Sequence, residues 1–105
     1  MTEIRAQARA AYDRNLAQKN LAERMGARMI LAHAGGLWRC DQEFLATLNC
    51  YLHDDEIVLL DDQGIPRKVQ PLELFTAAKM RNQEIMNEWL VAYAELAKVR
   101  TAKDV

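Results

Sequence analysis

An α+β fold is predicted, in which two long antiparallel helices flank a small antiparallel β-hairpin. Three observations carry this. Phe75, Ala78, Asn82, Ile85, Trp89, Ala92, Leu96 and Val99 follow one another at alternating three- and four-residue spacings, a helical seam of more than three heptads. Residues 3–33 are rich in Ala, Leu, Met, Arg and Gln, all good helix formers. Between these segments, Glu56-Ile57-Val58-Leu59-Leu60-Asp61 and Ile65 to Gln70 read as two strands joined by the turn Asp62-Gln63-Gly64.

A chain of 105 residues suits one domain, here 1–105. With 50% apolar and 28% charged residues its composition is globular, not disordered. Two helices near 30 residues would each span about 45 Å. That is long for a compact monomer of this size, so either the helix ends project or other chains cover them.

The first helix is expected over residues 3–33, with Thr2 as N-cap. Ile4, Ala8, Ala11, Tyr12 and Leu16 share one side, followed by Leu21, Met25, Met29 and Ala32. The stripe drifts near Asn15, Gln18 and Lys19. Gly26 weakens the helix by up to about 1 kcal/mol relative to Ala and suits a bend or a close helix contact. Gly35-Gly36 would stop it, because glycine takes a left-handed cap at no steric cost.

Leu37-Trp38-Arg39-Cys40-Asp41 alternates as a short strand, and Asp41 can cap a short helix over 42–52. Phe44, Leu45, Leu48 and Leu52 give that helix a buried face; the alternative is a strand continuing through Thr47 and Tyr51. Four consecutive apolar residues at 57–60 suggest a strand covered on both faces. Pro66 lacks an amide donor and belongs at a strand edge or start. Pro71 and Glu73 suit the first turn of the second helix, expected over 71–100. Leu72, Met86, Leu90 and Tyr93 widen its apolar face, and Asn82 is a polar seam residue of the kind that sets register or partner number.

The runs Gly35-Gly36-Leu37-Trp38, Glu43-Phe44-Leu45, Asp55-Glu56-Ile57-Val58-Leu59-Leu60-Asp61-Asp62-Gln63-Gly64-Ile65-Pro66 and Met86-Asn87-Glu88-Trp89 resemble small uncharacterised proteins of contractile-tailed phages infecting marine cyanobacteria. The resemblance covers roughly residues 35–95. It implies a phage-type accessory or virion protein, and it supplies no catalytic residues to carry over.

Net charge is −1, which gives no whole-molecule reason to expect nucleic acid or membrane. Its distribution is uneven. Residues 1–40 hold seven Arg or Lys against three acids, whereas residues 41–62 hold seven acids and no Arg or Lys. No apolar run approaches the ~20 residues of a membrane span, and Met1-Thr2-Glu3-Ile4-Arg5 leads into a charged helix, not an apolar signal core. The expectation is a cytoplasmic protein, in host cytoplasm or virion if phage-encoded. Cys40 and Cys50 are expected as reduced, small buried hydrophobes, with a disulfide or metal pair as the alternative.

No catalytic, cofactor or metal site is expected. His53-Asp54-Asp55-Glu56, with Asp61 and Asp62, could offer carboxylate oxygens to a hard cation, but the spacing is not that of an EF-hand. A solvated acidic turn that discourages strand-edge pairing accounts for it. His33, Cys40, Cys50 and His53 lack the close spacing of a zinc set, and His33 reads as a partner of the first helix's C-terminal dipole. Nothing suggests an activated thiol. Gly35-Gly36 is not a phosphate loop, since it follows a helix and lacks the flanking pattern.

What is left is function by contact. The chain is expected to be a non-enzymatic structural or interaction protein that self-associates through helical seams, a dimer favoured, with Met25, Met29, Asn82, Ile85, Trp89 and Leu96 at the interface. The alternative is a nucleic-acid accessory factor gripping phosphates with Arg5, Arg9, Arg24 and Arg28 of the basic first helix. Against it stand the lack of interleaved aromatic residues apart from Tyr12 and the acids Glu84, Glu88 and Glu95, which could neutralise that face.

Overall fold

The computed structural model describes residues 2–104, with the side chains of residues 4–98. The chain runs α1 (Thr2–Arg28), β1 (Ile30–His33), β2 (Gly36–Arg39), α2 (Gln42–Asn49), β3 (Ile57–Leu60), β4 (Pro66–Val69), α3 (Pro71–Asp104). The capping side chain of Thr2 and the seam position Val99 fall outside the described side chains.

The mixed α+β class is as the sequence predicts. The two long helices lie antiparallel: Arg28 at the end of α1 pairs with Glu88, and Leu21, seven residues earlier, lies against Ala92 and Leu96. The result is a rod. Its extents are 63 × 23 × 21 Å and its radius of gyration is 19.0 Å, against about 13 Å for a compact chain of this length.

Two apolar cores occupy different parts of the rod. One lies between the long helices, where Leu21, Met25, Met29 and Ile85 are buried and Trp89, Ala92 and Leu96 pack against them. The other gathers Trp38, Cys40, Leu48, Val69, Leu74 and Ala78 from the strands, α2 and the first turns of α3. Trp38 stacks on Phe44 with ring centroids 5.7 Å apart, and its indole Nε1 donates to the His33 carbonyl at 2.8 Å. Asn82 stands between the cores. It is buried, and its Nδ2 donates to the Cys40 carbonyl at 2.8 Å, while the Cys40 amide donates to the Met29 carbonyl at 2.7 Å.

Several expectations are corrected. The first helix ends at Arg28, not 33. Residues 30–33 pair instead with 36–39, and Ala34 (φ 51°) and Gly35 (φ 79°) form the two-residue link. Positive φ at both central positions is what a type I′ hairpin turn requires, so the glycines close a hairpin and cap no helix. His33 is therefore a strand residue and no dipole partner. Gly26 has open space beside it and makes no close helix contact.

The fold has two separate two-stranded sheets, not one hairpin. The second pairs Ile57 with Val69 and Leu60 with Pro66, and Gly64 (φ 76°) supplies the positive φ its turn was expected to need. β3 is covered on one face only: Ile57 and Leu59 turn inward, whereas Val58 and Leu60 are exposed. α2 forms where expected but ends at Asn49, not 52, with the Asp41 Oδ1 accepting from the Phe44 amide at 2.8 Å. α3 is one unbroken helix, and Pro71 opens it with no amide to satisfy.

Three stability measurements follow from this packing. Ile85 is 0% exposed, so Ile85→Ala should cost about 2–5 kcal/mol in urea unfolding. Asn82→Ala should cost about 1–3 kcal/mol, because the Cys40 carbonyl would be left buried without a donor. Ala34→Gly should gain about 0.5–1 kcal/mol, since it removes the left-handed strain on a Cβ and gives back only part of that as unfolded-state entropy.

Candidate interaction surface

The seam of the helix pair is filled from within the chain. Met25, Met29, Asn82 and Ile85 are buried, and Trp89 and Leu96 are half-buried against the same core. These six residues are brought together, but toward each other.

The two sides flanking that seam differ sharply. On one side Arg28 forms an ion pair with Glu88, and a shallow groove of about 410 Å³ lies over Ala17, Leu21, Ala92 and Leu96 with Arg24 and Glu95 at its rim. On the other, Gln18 Nε2 approaches the Tyr93 hydroxyl at 3.5 Å, and beside Tyr93 lie Met86 and Leu90, all three exposed. At about 100° per residue, Met86, Leu90 and Tyr93 point roughly 80–140° round α3 from Ile85. They form a continuous apolar strip at i, i+4 and i+7, outside the core they were expected to widen. Leu90 is 68% exposed. On α1, Ile4 falls within about 40° of Gln18 on the same side.

The first half of α1 behaves differently from its second half. Tyr12 is 66% exposed and points about 180° away from Leu21. Leu16 is exposed beside it. The drift at Asn15 to Lys19 is thus the point where the apolar stripe leaves the α3 contact. That drift, and the spacing of Met86, Leu90 and Tyr93, were the sequence signals for an uncovered face.

The basic residues of α1 are not gathered into one stripe. Arg24 and Arg28 lie about 100° round the helix from Arg5 and Arg9. Arg28 is committed to Glu88, whereas Arg5 and Arg9 are exposed with no acidic partner among the described residues.

At the strand end, the side chain of Asp61 organises the expected turn at Asp62-Gln63-Gly64, a role the sequence reading did not give it. Its buried carboxylate accepts from the amides of Gln63 and Ile65, both at 2.9 Å, and from Arg67 Nε at 2.8 Å. Arg67 crosses over Gly36, where a Cβ would meet its Cδ at 2.6 Å. The Asp62 amide donates to the Leu37 carbonyl at 2.8 Å, and Arg39 pairs with Asp62 at 3.6 Å, tying one hairpin to the other. The hydrogen bond from Arg67, followed by that from the Ile65 amide, holds the Asp61 carboxyl below its ordinary range.

Neither cysteine is bonded to another. Cys40 is buried, and burial pushes its thiol up to about 11, far from a reactive thiolate. Cys50 is exposed, which corrects the expectation that both were buried. Among the described residues, no three His, Cys, Asp or Glu side chains converge to hold a metal ion. No described helix is long and apolar enough to cross a membrane. Compared with known proteins, the chain matches no family profile, no curated protein and no solved structure.

The Asp61 cluster sets a pH dependence. An unfolded chain takes up a proton at this carboxyl near pH ~3.9, whereas the folded chain resists until lower pH. Its stabilisation is therefore fully present above the unfolded value and fades as pH falls through the depressed folded one. Urea midpoints measured from pH 6 down to pH 2 should fall in that window, and Asp61→Asn should flatten that part of the profile while lowering stability at neutral pH.

Proposed function

We propose that this protein works by contact, as a helical-hairpin module that self-associates into a dimer, and performs no chemistry of its own. The observation that carries the reading is the strip Met86, Leu90 and Tyr93. It runs along the middle of a 63 Å rod on the side opposite the Arg28–Glu88 pair, and all three side chains are exposed. Burying such a strip is worth about 1.5–3 kcal/mol per large side chain. The helical seam itself is occupied within the chain, so association uses the outer flank of α3 in its place. An accessory role of the kind implied by the phage-protein resemblance suits such a module.

Nucleic-acid binding has less behind it. The four arginines spread over about 140° of α1, and one of them is neutralised by Glu88. Light scattering after size exclusion, over the micromolar range, should give twice the chain mass. Leu90→Glu should weaken association by about 1.5–3 kcal/mol without loss of helical circular dichroism. A single-chain mass at every concentration would overturn the reading.

A further inference from the structure

We infer that the outer edge of β3, at Val58 and Leu60, is a docking site for an extended basic segment of another protein, added as a third antiparallel strand. This surface is separate from the Met86–Leu90–Tyr93 strip, and the inference goes beyond self-association.

The register of the hairpin fixes which backbone groups point outward. The Asp61 amide donates to the Ile65 carbonyl and the Gly64 amide to the Asp61 carbonyl, so residues 61 and 65 close the ladder as a hydrogen-bonded pair. Bonded and non-bonded pairs alternate along an antiparallel ladder, so Leu59 with Arg67 and Ile57 with Val69 are bonded pairs too. The amides and carbonyls of Val58 and Leu60 therefore point away from β4, and they have no hydrogen-bond partner among the described residues. The two edges of this sheet are unlike. On β4 the outward positions are Pro66, which has no amide, and the cationic Lys68, both of which discourage pairing. On β3 they are Val58 and Leu60, whose side chains are 63% and 67% exposed. At the far end the Asp62 amide reaches the Leu37 carbonyl; from Leu60 back to Val58 the edge is open.

Charge selects the occupant. Residues 39–68 hold seven acids and three Lys or Arg. All three cations are paired: Arg39 with Asp62, Arg67 with Asp61 and Lys68 with Glu56. Four acids are left over, and they flank the open edge at both ends. Asp41 and Glu43 line a groove of about 320 Å³ that Leu60 shares with Phe44 and Thr47 of α2, while Asp54 and Asp55 are exposed just ahead of Val58. A second copy of this chain is the wrong occupant. Its β3, laid antiparallel with Val58 opposite Leu60, sets Glu56 of each chain opposite Asp62 of the other, acid on acid. Its β4 offers one outward amide where two are needed, because Pro66 has none. The strand that fits places apolar residues beside Val58 and Leu60 and carries Lys or Arg at its ends.

The probe is an acetylated, amidated peptide with Val-Thr-Val-Thr-Val between two lysines at each end, titrated into the full chain by calorimetry and followed by amide hydrogen exchange. In the free chain the Val58 and Leu60 amides should exchange faster than the bonded amide of Leu59, and saturating peptide should slow both by about tenfold or more. N-methylating the valines removes the donors aimed at β3 and should abolish binding; N-methylating the threonines, whose amides face away, should leave it. Glutamates in place of the lysines should abolish binding as well. Asp54→Asn/Asp55→Asn should weaken it about threefold to tenfold without changing the mass seen by light scattering. Strand addition is overturned if the lysine peptide does not bind, if it binds without slowing Val58 and Leu60, or if it binds equally with N-methylated valines. Equal binding of the glutamate peptide overturns the charge selection. None of these outcomes bears on the dimer, whose mass is read without peptide.

Discussion

The side-chain amide of Asn82 is the joint on which the rod depends. It lies at a position of the α3 seam where an apolar side chain would leave the Cys40 carbonyl, just past β2, without its donor. Through the Cys40 carbonyl it ties the end of the first hairpin to α3, and through the Cys40 amide that point is tied in turn to Met29 just past α1. Three elements distant in sequence meet there. Below it the helices pack on each other through Leu21, Met25 and Ile85; above it the strands and α2 pack on Leu74 and Ala78. A polar seam residue often sets partner number in coiled coils. Here its hydrogen-bonding capacity is used inside the chain, and it fixes where the strand layer begins.

This arrangement explains why one helix can serve two cores. α3 offers its first turns to the strands and its middle to α1, as one unbroken helix. The strand end is further locked by Asp61, whose carboxylate gathers two amides and a guanidinium, and by the Asp62 amide reaching Leu37. Two small sheets that would be marginal alone are held by these polar ties and by Trp38 between them and α2. The consequence for function is geometric. One flank of the rod carries the Arg28–Glu88 pair beside the Leu21–Leu96 groove, and the other carries the exposed Met86, Leu90 and Tyr93.

The long helices, α2 with its Asp41 cap, and the turn at Gly64 were legible because each rests on local signals: periodicity, a capping residue, a glycine at positive φ. The end of α1 was not. Residues 29–33 have acceptable helix propensity, and they become a strand only because β2 offers them a ladder and Ala34-Gly35 a tight turn. The one-sided burial of β3 was hidden for the same reason, since four consecutive apolar residues say nothing about which neighbours are present. The candidate interface was half legible. Met86, Leu90 and Tyr93 were read only as widening the packed face of α3, and the six seam residues expected at an interface were claimed by the chain's own core.

The sequence by itself determined the helical rods, the short capped helix, the uneven placement of charge and the polar residue in an otherwise apolar seam. These follow from side-chain period and backbone preference, which act over a few residues. Only the tertiary structure decided which apolar faces meet, where α1 gives way to a strand, and which aromatic and aliphatic side chains remain in water. Those outcomes depend on competition among surfaces far apart in the chain, and burial of one face is settled only when all the others have been placed.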